Sequence, residues 1–185
     1  MKKLKLLKIL SLLLYIFYVF SVIFMICIKK YNYSAICAGC IVINFILNLL
    51  NKKFTYLFND ALVILLELFV LFSLVLGTSY GGYKINHYDD VLHICSGVIG
   101  SVIAYIIINL YTNKEIRENI KTVFFGIFIF MFSVAIGNLW EVLEFLLDVM
   151  FKINCQAGGL NDTMVDMIDG IIGAIISLPF LLRKL

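Results

Sequence analysis

The chain has 185 residues, 63% of them hydrophobic and 15% charged, with a formal net charge of +3 and a mean hydropathy of +1.04. Soluble domains are about half apolar and about a quarter charged, and a chain this short has no soluble core that could hide the excess. A water-soluble globular protein is therefore excluded, and the small positive balance makes no case for a nucleic-acid partner, because the basic residues gather where membrane topology signals are expected. The single proline and the lack of any Ser/Gly-rich or charge-rich tract leave no disordered linker to assign.

Lipid is the solvent that makes this composition sensible, so the expected fold class is all-α: a polytopic transmembrane helix bundle with about six spans in one domain, 1–185. A span needs about 20 apolar residues. The first, near Ile9–Ile28, follows Lys2, Lys3, Lys5 and Lys8; its apolar run is long, no A-x-A-like cleavage site follows it, and Lys29 and Lys30 close it, so it reads as a retained helix and not a signal peptide. The second, near Ser34–Leu50, is short. The remaining four are near Asp60–Tyr80, Asp90–Leu110, Thr122–Leu147 and Thr163–Leu182. Six such segments use about 120 residues, so chemistry is expected in the helices or at their ends.

Of the 15 basic residues, eleven fall on one side of this topology: the N-terminal lysines, Lys52, Lys53, Lys114, Arg117, Lys121, Arg183 and Lys184. Lys29, Lys30, Lys84 and Lys152 fall on the other. Positive residues stay inside, which predicts a multi-pass cell-membrane protein with both termini cytoplasmic and with basic residues available to lipid head groups. Cys27, Cys37, Cys40, Cys95 and Cys155 then lie in the outward half. Cys37 and Cys40 form a C-x-x-C, but at the start of an apolar span and without a βαβ setting; the expected role is packing.

The acids carry the functional signal. Span four opens with Asp89, Asp90 and His93; span five closes with Glu141, Glu144 and Asp148; span six opens with Asp162, Asp166 and Asp169. Up-down topology puts these three segments at one level, the outer one. Within each segment the spacing is i,i+3 or i,i+4, which places the polar side chains on one helix face. A charge at membrane depth costs about 2.5–3.5 kcal/mol on insertion scales, so the polar stripes should face one another. Eight carboxylates beside Lys84, Lys152 and two histidines cannot all be ionised: either several hold protons or a cation is bound. Carboxylates with a histidine suit a divalent metal, and they equally suit a proton relay or ion path. Asp90 and Asp162 also have a purely structural reading as helix-start acids. Glu67 stands apart in mid-span three, able to reach the same interior, to be paired locally, or equally to sit buried and protonated with a bond to a backbone carbonyl. Gly170, Gly173, Ala174 and Ser177 make a small-residue stripe on span six, read as close helix packing.

Asp90 and His93, Glu141 and Glu144, Gln156, Asp162, Thr163, Asp166, Gly173 and Ala174, in that order, resemble the motifs of the YjdF-like bacterial inner-membrane proteins. The resemblance spans about Asp89 to Ala174 and extends more distantly to the VanZ-like family, several of whose members are linked to glycopeptide-antibiotic tolerance. VanZ-like chains usually carry Asn where Gly170 stands and a basic residue where Val91 stands, so the YjdF-like reading is the better one and antibiotic tolerance is not carried over. The resemblance implies a membrane-protein family whose activity is poorly defined.

Three readings of the site remain open. In the first, Asp90, His93, Glu141, Glu144, Asp162 and Asp166 hold a divalent cation and the protein is an enzyme acting on a lipid or lipid-linked substrate, with His93, Glu141 or Glu144 as catalytic base. In the second, the same carboxylates serve a proton- or cation-coupled transporter, although such sites usually lie nearer the midplane. In the third, the polar cluster only locks three helices together in a structural or accessory protein.

Overall fold

Each of the six apolar runs forms a helix. The computed structural model describes residues 2–152, 155–156 and 158–185, with the backbone alone for 2–6 and 151. Among these there is no strand. Helix α1 is Lys2–Cys27, α2 is Tyr31–Lys53, α3 is Asp60–Val70, α4 is Tyr88–Tyr111, α5 is Lys114–Asn119, α6 is Thr122–Phe151 and α7 is Leu160–Leu182. Six of the segments, with α3 extended to Ser79, are long and apolar enough to cross a membrane. The second, expected to be short, has 23 residues, about 34 Å of helix, against a hydrocarbon core of about 30 Å. Helix α5 was not expected; Asn113 caps it by accepting the Ile116 N–H at 2.9 Å.

The chain forms two compact units, Met1–Tyr88 and Asp89–Leu185. In the first, α1, α2 and α3 pack around two apolar clusters. One contains Leu14, Tyr18, Met25, Cys37, Cys40 and Val75; the other contains Leu7, Leu47 and Val63. Cys37 and Cys40 are fully buried free thiols inside the first cluster, which is the packing role their setting suggested. The midpoint of thermal unfolding is accordingly expected to be the same with and without reductant; a shift of several degrees on reduction would show a disulfide.

Helix α3 starts cleanly because the Asn59 side chain accepts the Leu62 N–H at 3.0 Å. It does not end as an α-helix. Leu71–Ser79 winds as a π-helix, closed by the Tyr80 N–H on the Val75 carbonyl at 2.9 Å. This looser turn takes support from side-chain hydroxyls: Ser73 donates to the Phe69 carbonyl at 2.7 Å and Tyr88 to the Phe72 carbonyl at 2.6 Å.

In the second unit small residues decide how close the helices come. A Cβ on Gly97 of α4 would land on the Gly170 carbonyl of α7, and a Cβ on Gly173 would land on the Ile94 carbonyl. The two backbones therefore touch, as the small-residue stripe implied. Helix α6 is tied to the same place: Ser133 donates to the Gly97 carbonyl at 2.7 Å, and Gly100 leaves room for Ser133. Away from this contact, Ala104, Ile108, Phe125, Ile129 and Leu181 make an apolar core. Large apolar side chains such as Phe124, Ile127, Met131, Leu139 and Phe145 stay exposed along α6, as a lipid-facing surface requires.

Candidate functional site

The contact between α4 and α7 positions the site. His93 lies one turn before Gly97 on α4, and Asp166 one turn before Gly170 on α7, so the glycine packing draws the two side chains together. Helix α6 antiparallel to α7 adds Glu141. His93 Nε2 lies 3.6 Å from Asp166 Oδ1 and 3.5 Å from Asp89 Oδ1, while His93 Nδ1 lies 3.7 Å from Glu141 Oε1. One imidazole thus stands among three carboxylates contributed by three helices.

Burial makes this arrangement costly as it stands. Glu141 is 4% exposed and Asp166 5%, and neither Glu141 oxygen has a hydrogen-bond partner. Among the described residues, His93 is the one ion-pair partner of each. A buried carboxylate without a hydrogen bond is among the more expensive groups a protein can hold. The donor atoms of Asp89, His93 and Asp166 lie within 4.8 Å of one another. Their separations from Nε2 exceed a direct hydrogen bond but suit ligands that share an ion at about 2.0–2.2 Å from each.

The sequence-based ligand set is brought together in part. His93, Glu141 and Asp166 converge. Asp89, one turn before His93 at i,i+4, supplies the α4 carboxylate of the cluster; the spacing was visible in the sequence, but the expected ligand was Asp90, which is half-buried on the same turn. Glu144 accepts the Trp140 indole N–H at 2.7 Å. Asp162 lies in the first turn of α7, where it accepts the Gly158 N–H at 3.2 Å, the helix-start role its position suggested. Asp169 is buried on α7, one turn beyond Asp166.

The two oxygens of Asp148, near the end of α6, accept the Cys155 N–H at 2.6 Å and the Gln156 N–H at 2.9 Å. That places the Gln156 amide to donate to Thr163 Oγ1 at 2.8 Å and toward the Glu141 carbonyl at 3.4 Å. Burial, then the Asp148 and Glu144 carboxylates, push the Cys155 thiol up, so this cysteine is a poor thiolate nucleophile. A cleft of about 640 Å³ runs between α6 and α7, lined by apolar side chains such as Val142, Phe145, Leu160 and Met167, with Glu141 and Thr163 among its polar residues.

A family model described as "Predicted membrane protein (DUF2238)" matches residues 9–185. No curated protein matches the chain, and no solved structure does.

Proposed function

This chain belongs to the DUF2238 family of membrane proteins, and on that footing we propose that it binds a divalent cation at the His93 cluster and uses it on a lipid or lipid-linked substrate at the outer face of the cell membrane. The observation that carries the proposal is the single imidazole set beside the buried carboxylates of Glu141 and Asp166, which among the described residues have no other cationic partner. In this reading Asp89, His93 Nε2 and Asp166 are the ligands. Glu141, with Oε1 3.7 Å from Nδ1, takes the part of the outer carboxylate that orients a metal-bound histidine. Imidazole with carboxylates favours Zn²⁺ or Mn²⁺ over softer ions.

Sidedness rests on the basic residues. With both termini cytoplasmic, as the lysine and arginine bias indicates, the start of α4, the end of α6 and the start of α7 meet at the outer surface. The cleft between α6 and α7 has the apolar walls that an acyl or isoprenoid chain would fill, and its polar edge includes Glu141. In this reading the cation held by Asp89, His93 and Asp166 would polarise a phosphoryl or ester oxygen of the head group. Glu144, whose Oε1 accepts the Trp140 indole N–H, is in this reading the carboxylate that moves a proton.

Metal analysis of the purified protein tests this. About one equivalent of Zn²⁺ or Mn²⁺ is expected after reconstitution, with at least a tenfold loss in Asp166→Asn. Metal-free protein that carries protons or cations into liposomes would overturn the proposal in favour of transport. Metal-free protein with no such flux, and an Asp166→Asn variant that folds normally, would leave the cluster as a structural lock.

A further inference from the structure

The first unit buries a second polar cluster, distant in sequence from His93. Glu67 lies about two turns into α3 and is 1% exposed. Its Oε1 accepts the Ser11 hydroxyl at 2.7 Å and the Asn48 amide at 2.8 Å. Asn48 Nδ2 also lies 3.1 Å from Asn44 Oδ1, 3.0 Å from the Asn44 carbonyl and 3.2 Å from Ser11 Oγ, while Ser11 Oγ lies 3.3 Å from Asn48 Oδ1. Three helices therefore contribute oxygens to one buried place.

A proton count shows what is missing. Ser11 has one hydroxyl proton and the Asn48 amide has two. Against these three stand both Glu67 oxygens, the Asn44 carbonyl and side-chain oxygens, Asn48 Oδ1 and the Ser11 lone pairs. Asn44 Nδ2 is buried without an acceptor and is the one donor group of the cluster left unused, while Glu67 Oε2 is buried with no partner. Among the described residues no lysine, arginine or histidine pairs with Glu67; Lys8, which precedes Ser11 by one turn of α1, is exposed, as are Lys29, Lys30, Lys52, Lys53 and Lys84. The cluster is rich in hard oxygen acceptors, poor in donors, and holds one carboxylate at membrane depth.

We propose that Ser11, Asn44, Asn48 and Glu67 form a binding site for a monovalent alkali cation, with Glu67 Oε2 as the charged ligand. One carboxylate balances one positive charge; a divalent ion would leave net charge in an apolar setting, which is costly. All the donors are oxygens, the ligand type of hard cations. The bound ion ties α1, α2 and α3 together at the point where Glu67 would otherwise stand uncompensated. This site is independent of the His93 cluster and does not require that reading to be right.

The test uses full-length protein in detergent with EDTA present, so that divalent ions at the other site play no part. At constant ionic strength, replacing choline chloride by NaCl is expected to raise the thermal midpoint by roughly 5 °C. Glu67→Gln, which is isosteric, is expected to fold and to lose the Na⁺ increment. Should Glu67→Gln fail to fold, Asn44→Ala serves as the second variant and is expected to reduce the increment by half or more. Equal midpoints in Na⁺ and choline for the wild type would overturn the proposal. An increment that survives intact in the folded variant would do the same.

Discussion

Gly173→Ala is expected to destabilise the second unit by about 4 kcal/mol or more, placing it among the rare severe single substitutions. The added methyl would overlap the Ile94 carbonyl of α4, a backbone atom that no rotamer change can move. Relief requires α4 and α7 to separate, and separation opens the Ser133 hydrogen bond to the Gly97 carbonyl and pulls Asp166 from His93. Gly97→Ala meets the Gly170 carbonyl and is expected to behave alike. Gly137 on α6 supplies the contrast: a Cβ there has no neighbour within 4 Å, so Gly137→Ala is expected to gain up to about 1 kcal/mol of helix propensity. Thermal midpoints and the monodisperse fraction on size exclusion read both. A Gly173→Ala protein melting within two or three degrees of wild type would mean that these helices do not touch.

His93→Ala carries the second large effect. Among the described residues the imidazole is the one group that pairs with Asp89, Glu141 and Asp166 together, and two of those carboxylates are almost fully buried. Removing one partner of a buried charged set typically costs about 3–5 kcal/mol, because the charges left behind have neither water nor counter-ion. The variant is expected to lose stability on that scale and to retain no metal. Neutralising a carboxylate should then help: His93→Ala/Asp166→Asn is expected to be more stable than His93→Ala alone, a coupling of the kind contacting residues show. Glu141→Gln, by contrast, keeps the fold and is expected to weaken metal affinity about 10–100-fold, the usual effect of altering an outer-shell partner. If His93→Ala melts like wild type, the carboxylates do not depend on it.

Much of the architecture was written in composition and spacing. Apolar runs of about 20 residues have few options in lipid other than a helix, so the six spans were readable, and their ends shifted by only a few residues. The acids at 89–93, 141–148 and 162–169 were recognisable as one level of the membrane, because antiparallel helices return to the same side. Gly170, Gly173 and Ala174 were recognisable as a packing face, because residues three and four apart share one side of a helix.

Rotation and partnership were not readable. Successive residues on a helix point about 100° apart, so whether Asp89 or Asp90 turns toward His93 depends on how far α4 is rotated in its packing, and the glycine contact with α7 sets that angle. The π-helical turns at Leu71–Ser79 have no local signal stronger than their hydroxyl residues. Glu67 shows the division most clearly. An acid in the middle of an apolar run marked something buried and polar, but its partners Ser11 and Asn48 stand 56 and 19 residues away in sequence. Composition and periodicity determined that this protein is made of membrane-crossing helices and where along them charge would lie. Tertiary packing decided which charges meet, because helix rotation and close approach depend on side chains from other helices that no local window contains.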